Sequence, residues 1–208
     1  MTAAATWPDD VPTLTDGTVT LRAHELADVA RIVEQCTDPQ SIEWTTVPVS
    51  YGEADAVAFV QLFVPELWRD RVDLNFAVDV DGRFGGTVSL RPRGSQRAEI
   101  AFGAHPDVRG TGAMERALRL LLAWGLDQCG LQVVTWLANV GNVASRDLAE
   151  RVGFRFEGTL TGFLDHRGVA TDAWVGSLRR DWPRQRPQRA SASDVQTRAG
   201  EQDQQPGE

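Results

Sequence analysis

The sequence predicts a single mixed α/β domain, one sheet with helices packed on it. Three observations carry the prediction. Strand-like segments come in series between residues 74 and 106, separated by turn residues. The best helical stripe of the chain follows at once, behind two glycines one residue apart. Strand and helix patterns interleave along the chain: strand, two helices, three strands, helix, strand, helix, two strands. With 208 residues, 42% of them hydrophobic, the chain can bury one full core and falls short of two.

Taken in order, residues 1–12 read as a flexible arm and residues 13–183 as the domain. "TVTLRAHE" (18–25) alternates apolar and polar residues, as a half-buried strand does. "ELADVARIVEQCTD" (25–38) places Leu26, Val29, Ala30 and Val33 at helical spacing. The prolines and glycine of residues 39–52 exclude a long regular element. Ala54 to Leu67 reads as a second helix, with Val57, Phe59, Val60, Phe63 and Val64 apolar. "LNFAVDVD" (74–81) turns at Asp81-Gly82, a hairpin signal, and "FGGTVSLRP" (84–92) returns. "AEIAFGAHP" (98–106) is stopped by Pro106, which has no N–H for a ladder.

The helix after the glycines carries Met114, Ala117, Leu118, Leu121, Leu122 and Gly125 on one stripe, with Arg116, Arg119 and Asp127 opposite. "LQVVTWLAN" (131–139) is short and apolar enough for a buried strand. "NVASRDLAERVGF" (142–154) is a helix closed by Gly153. "FRFEGTL" and "ATDAWVGSLRR" are two strands joined across Gly162–Gly168. Residues 184–208 lack core-forming side chains and read as a disordered tail.

Composition excludes several classes. No apolar run reaches the ~18–20 residues of a membrane helix, and the N-terminus lacks the basic and apolar regions of a secretory signal; a cytoplasmic, membrane-free protein is expected. The net charge of −8 argues against nucleic acid, whose binding needs basic patches, and suits a cationic partner such as an amine. Two cysteines, Cys36 and Cys129, make neither a disulfide framework nor a zinc site. Three scattered histidines lack metal-ligand spacing, so no metal is expected.

The informative stretch is "HPDVRGTGAMERALRLLLAWG" (105–125). Glycines remove side chains from a turn and let backbone approach a ligand. A helix start offers unpaired N–H groups and partial positive charge. A Walker A loop requires a lysine that is missing here. A dinucleotide fingerprint requires a small residue where Glu115 stands. The turn then either holds a pyrophosphate on the N–H groups of about Arg109 to Ala113, with the Arg109 side chain alongside, or is a tight strand-to-helix turn without a ligand.

Three linked motifs resemble the GNAT superfamily of acyl-CoA-dependent N-acetyltransferases, in its RimJ/RimL-like form. "HPDVRGTGAMERAL" is similar to the superfamily's coenzyme motif, with Met114-Glu115-Arg116 slightly rearranged. Asn142, Ser145, Leu148, Gly153, Phe154, Glu157 and Gly158 follow the pattern N-x-x-S then L-x-x-x-G-F-x-x-E-G. Gly168, Asp172, Arg180, Asp181 and Trp182 fit the closing hairpin. The resemblance covers about residues 13–183. It implies the GNAT fold: a mixed, mostly antiparallel sheet of about six to seven strands, splayed between two parallel strands and flanked by about four helices. It implies acetyl-CoA as co-substrate and a homodimer.

The resemblance also implies roles. Acyl-CoA would lie between strands 98–105 and 131–139, on backbone of Gly103, Ala104 and His105, with its pyrophosphate at Val108, Arg109, Gly110, Thr111, Gly112 and Ala113. The His105 ring is expected to do no chemistry. Glu99 is the candidate general base, acting through water, or else a solvated strand carboxylate. The tyrosine many members use at sulfur is replaced by Ala149, and the chain's one tyrosine is Tyr51. Ser145 is the remaining candidate for a hydrogen bond to the leaving thiolate, or else a helix-start hydroxyl. Asn142 would hold the pantetheine amides, cap the helix, or both. Arg146 would reach coenzyme phosphates or stay solvated.

The acceptor would lie under residues 41–52 and 160–171, with Trp44 and Tyr51 as walls and Glu43, Asp165 and Asp172 as cation partners. The acceptor is a small-molecule amine or a protein N-terminal amine. Neither cysteine falls in the coenzyme motifs, so direct attack in a ternary complex is expected rather than an acyl-enzyme. The alternatives are a succinyl-CoA-using enzyme and a non-catalytic acyl-CoA sensor.

Overall fold

The computed structural model describes residues 4–182; the expected tail at 184–208 lies outside them. One sheet of eight strands runs in the order β1-β2-β3-β4-β5-β6-β8-β7. The strands are β1 (Leu14–Thr15), β2 (Val19–Arg22), β3 (Leu74–Val80), β4 (Arg83–Pro92), β5 (Arg97–Ala104), β6 (Val133–Asn139), β7 (Arg155–His166) and β8 (Val169–Arg179). The strand count exceeds the expectation because two residues, Leu14 and Thr15, pair back onto Leu21 and Thr20. Every pairing is antiparallel except β5 with β6. That parallel pair needs a crossover, which the helix after the glycine turn provides.

The helices are α1 (Val29–Thr37), α2 (Pro39–Trp44), α3 (Glu53–Ala58), α4 (Val64–Arg69), α5 (Ala113–Ala123) and α6 (Val143–Arg151). A π turn over Phe59–Phe63 joins α3 to α4, so the expected second helix is one interrupted run. Helix α5 buries the predicted stripe, Met114, Ala117, Leu118, Leu121 and Leu122, against one face of the sheet. Its extension is a π turn, Trp124–Gln128. There Gly125 allows close approach, since a Cβ would lie 2.7 Å from Leu90 Cδ1 and would push that buried side chain aside. Helices α1 and α3 and the π turn after α3 cover the opposite face through Val29, Ile32, Cys36, Ala56 and Val60, over Ala77 and Phe84.

Several expectations are corrected. The buried face of α1 is Val29, Ile32 and Cys36; Ala30 is exposed and Leu26, in a 3-10 turn, is 54% exposed. The face shifts because the 3-10 turn winds the chain more tightly before the α-helix begins. Phe63 is 53% exposed, at the end of the π turn that rotates it off the core. Within the N-terminal arm, residues 5–7 contact the domain: Ala5 N–H donates to Ser95 O (2.6 Å), Thr6 N–H donates to Cys129 O (2.9 Å), and Trp7 lies against Trp124. Burial of that tryptophan outweighs the entropy of ordering the segment. The closing hairpin has no long loop. Strand β7 runs on to His166, turning at Arg167-Gly168, because a register shift between Leu160 and Leu164 absorbs extra residues. Asp172 pins that bulge by accepting the Gly162 N–H at 2.8 Å.

Candidate active site

Strands β5 and β6 pair from Arg97↔Val133 to Ile100↔Trp136 and then separate. Beyond that point β6 stays with β8 and β5 stays with β4. A cleft of about 1030 Å³ opens at the split, walled by α1, α2, the glycine turn and α6. The polar edge of β5 inside it is set by strand alternation. Gly103 O faces β4, lying 2.4 Å from where a Gly86 Cβ would stand, and His105 N–H donates to Gly85 O (3.0 Å). The groups turned to the cleft are therefore those of Phe102 and Ala104. Of the backbone groups expected at the coenzyme, those of Ala104 face the cleft and those of Gly103 and His105 face β4; Phe102, not among the expected residues, also faces the cleft. Period-two alternation from Pro106 backward was the signal for it.

The glycine turn fits a phosphate through its backbone. Gly110 and Gly112 have φ of +76° and +84°, which side-chain-bearing residues rarely adopt, and a Cβ at either would meet nothing within 4 Å. Conformation, not crowding, requires these glycines, and the space above them is open to a ligand. Thr111 Oγ1 accepts the Ala113 N–H (3.3 Å), and Thr111 N–H is used internally by Val108 O. Gly112 is the N-cap of α5, so the N–H groups of Gly112, Met114 and Glu115 have no carbonyl of a preceding helical turn to meet, and that of Gly110 lies in the turn just before them. Val108 is buried and props the turn from below.

The Arg109 guanidinium is engaged elsewhere. It donates to Asp38 Oδ2 (2.6 Å), Gln40 Oε1 (2.9 Å), Ser41 Oγ (3.2 Å) and Ala104 O (3.2 Å). The guanidinium in turn holds the Asp38 carboxyl below the ordinary carboxylate range. Its side chain, expected beside a pyrophosphate, has as its charged partner a carboxylate just past the C-terminal end of α1. The His105 ring is 3% exposed. Its Nδ1 accepts the Asp107 N–H (3.2 Å) and its Nε2 lies 2.9 Å from Glu34, tying α1 to the end of β5.

On α6 the two candidate polar residues divide the work. Asn142 Oδ1 accepts the Ser145 N–H (3.1 Å), so the cap is Asn142. Ser145 Oγ is thereby free of capping, and it accepts the indole N–H of Trp136 (3.0 Å), itself 2% exposed. An oxygen that accepts there keeps its own proton to donate, and Ser145 lines the cleft. Arg146 does not line the cleft. It lies over the rings of Phe156 (4.0 Å) and Trp174 (5.1 Å) and pairs with Glu150. Arg151, on the same helix and not among the expected residues, lines the cleft beside Glu115 (3.4 Å). Nothing in the local sequence distinguishes the two arginines.

Glu99 lines the cleft near the split. Arg91 Nη1 donates to its Oε1 (3.4 Å), and Arg93 Nε and Nη2 donate to its Oε2 (3.3 and 3.2 Å). It is an ion-paired carboxylate, not a solvated one. Among the acceptor-side candidates, Trp44, Tyr51 and Asp165 line the cleft. Glu43 is exposed on the outer side of α2, and Asp172 serves the β7 bulge. Burial pushes the Tyr51 hydroxyl well above its usual range and the Cys36 thiol up to about 11, so both are neutral. Gln35, Thr87, Ser89 and Asn75 add uncharged polar groups to that wall. Among the described residues no cluster suits a metal, and no helix is long and apolar enough to cross a membrane.

Comparison with known proteins agrees with this geometry. Residues 18–155 match the family model "Acetyltransferase (GNAT) domain". The chain is 27% identical over 170 residues to a Bacillus subtilis (strain 168) protein called "Putative ribosomal N-acetyltransferase YdaF", covering 79% of this chain and 93% of that one. A GNAT-family acetyltransferase from Bacillus anthracis superposes with a TM-score of 0.72 at 18% identity, over 82% of this chain and 100% of that one. Mycobacterium smegmatis RimJ, solved with CoA-disulfide, gives 0.70 at 22% identity, over 83% and 88%. A chain with a split parallel pair, a phosphate-ready glycine turn and this match over most of its domain belongs to the GNAT family of N-acetyltransferases.

Proposed function

We propose that the protein moves an acetyl group from acetyl-CoA to the α-amine of a protein N-terminus by direct attack in a ternary complex. The observation that carries the reading is the alignment of three features in one cleft: open N–H groups at the glycine turn, the free edge of β5, and the Ser145 hydroxyl. The turn would hold the pyrophosphate on backbone N–H groups, with Arg151 beside it. Phe102 and Ala104 would hydrogen-bond the pantetheine amides.

The chemistry needs a neutral amine, a polarised thioester and a stabilised thiolate. Glu99 accepts the amine's proton through water. Phe102 N–H, at the split, is placed to donate to the developing oxyanion. The nitrogen–carbon bond forms, the carbon–sulfur bond breaks, and Ser145 donates its hydrogen bond to the departing sulfur. Acceptor class follows from charge. Glu99 is paired with Arg91 and Arg93, and Glu115 with Arg119 and Arg151. Asp165 is the one cleft-lining carboxylate without an ion pair among the described residues. A polycation would need more, whereas a single amine on a neutral polar chain suits the Gln35, Thr87, Ser89 and Asn75 wall. The name of the Bacillus subtilis relative, a putative ribosomal N-acetyltransferase, supports a protein amine.

A thermal melt with acetyl-CoA, succinyl-CoA, NADH and ATP tests the site. A ligand at about 100 times its Kd adds about 2.7 kcal/mol, a rise of about 5–10 °C for a domain this size. A rise with acetyl-CoA, followed by release of free thiol when N-terminal peptides are added, is the expected result. A larger rise with succinyl-CoA would reassign the donor. Binding without thiol release across amines would make the protein a sensor, and no rise at all would withdraw the coenzyme site.

A further inference from the structure

Helix α2 spans the mouth of the split. At its start, Asp38 caps it by accepting the Ser41 N–H (3.1 Å) and receives Arg109 from the glycine turn (2.6 Å). Gln40 and Ser41 take further guanidinium hydrogens, and the same nitrogen that binds Asp38 reaches Ala104 O on the free edge of β5. At its end, Trp44 lies on Gly141, just past β6, with Cη2 3.3 Å from where a Cβ would stand. Gly141 has φ of +99° and so is bare for a conformational reason as well. The tip of the last hairpin closes the third side: Arg167 Nη2 donates to Ile42 O (2.9 Å) and Thr45 O (3.3 Å). One short helix is thus fastened to both arms of the split and to the hairpin.

We propose that Arg109 is a positioning residue: it acts through Asp38 to hold α2, and with it the Trp44 wall, over the acceptor side of the cleft, and does not bind the coenzyme's pyrophosphate. The inference rests on the acetyl-CoA reading above and adds to it how the coenzyme turn and the acceptor wall are joined. The geometry favours this role because all the guanidinium's contacts run toward α2 and Ala104, while the backbone N–H groups of Gly110, Gly112, Met114 and Glu115 already supply donors for an anion. An arginine that leaves Asp38 would strand a part-buried carboxylate at the helix cap.

The test compares Arg109→Gln, Asp38→Asn and the double variant with the wild type. Asparagine keeps the cap and removes only the charge. The first measurement needs no substrate: hydrogen exchange of residues 39–45. Exchange about tenfold faster in both single variants is expected, and unchanged exchange would overturn the clasp. The second is turnover with acetyl-CoA and with acetyl-pantetheine, which lacks the pyrophosphate. Both single variants should raise the acceptor KM about tenfold with either donor, and the double variant should be no worse than the singles. Acetyl-CoA affinity should change less than threefold. If Arg109→Gln instead loses acetyl-CoA binding while its use of acetyl-pantetheine is untouched and Asp38→Asn is silent, the arginine is a pyrophosphate ligand and the inference is wrong. A wild type that fails to bind acetyl-CoA would refute the functional reading, while the exchange result would still decide the clasp.

Discussion

Removal of the Ser145 hydroxyl separates a structural role from a chemical one. In Ser145→Ala, the Trp136 indole N–H loses its acceptor at 3.0 Å while the ring stays buried. An orphaned buried donor costs about 1–3 kcal/mol, which for a domain of this size lowers Tm by about 2–12 °C. Asn142 still caps α6, so the helix itself persists. Catalysis loses a hydrogen bond that strengthens as negative charge builds on sulfur. Such charge-assisted bonds contribute about 1.5–3 kcal/mol, so kcat should fall about 10–100-fold. Acetyl-CoA affinity should hold within threefold, because the neutral thioester sulfur gains little from the hydroxyl. The assay is thiol release under saturating donor and acceptor, at a temperature well below the variant's Tm, with donor affinity measured separately. A kcat within twofold of wild type, alongside the expected drop in Tm, would show that Ser145 supports Trp136 and nothing else.

Three further outcomes follow from burial and charge. Burial depresses the His24 imidazole to about 4 from its ordinary 6.5, so the unfolded chain takes up the proton first; its share of stability, about 3 kcal/mol, is present above pH 6.5 and lost as pH falls toward 4. Urea titrations at pH 7 and pH 4.5 should show this loss, His24→Gln should reduce it, and an equal loss in the variant would rule out His24 as its source. Burial also pushes the Cys36 and Cys129 thiols up to about 11 and about 12; iodoacetamide at pH 8 should leave the native protein unlabelled and modify both after denaturation, and stoichiometric native labelling would contradict the burial. Arg146→Ala removes two cation–π contacts worth about 0.5–1 kcal/mol each when exposed; Tm should fall by a few degrees with acetyl-CoA affinity unchanged, and a tenfold affinity loss would return Arg146 to the coenzyme.

What was legible in the sequence is what a few neighbouring residues settle among themselves. The φ of Gly110 and Gly112, the cap at Asn142 and the stripe on α5 are local requirements, and each stands where the spacing placed it. The order of strands and helices was legible for the same reason. Glu99 and Ser145 reach the cleft because strand and helix periodicity fix the side from which each projects.

The tertiary structure decided what long side chains and edges do. Arg109 finds Asp38, 71 positions away, and Arg146 finds the rings of Phe156 and Trp174 on β7 and β8. Trp136 turns Ser145 into a donor facing the cleft, and the pairing of β5 with β4 decides that Phe102 and Ala104, not Gly103, offer polar groups to it. The N-terminal arm docks because Trp7 meets Trp124 across more than a hundred residues of chain. The sequence by itself determined the backbone conformations and the family. The fold determined which partner each charge and each unpaired N–H meets, because a flexible guanidinium or an open strand edge takes its direction from groups that only folding brings within reach.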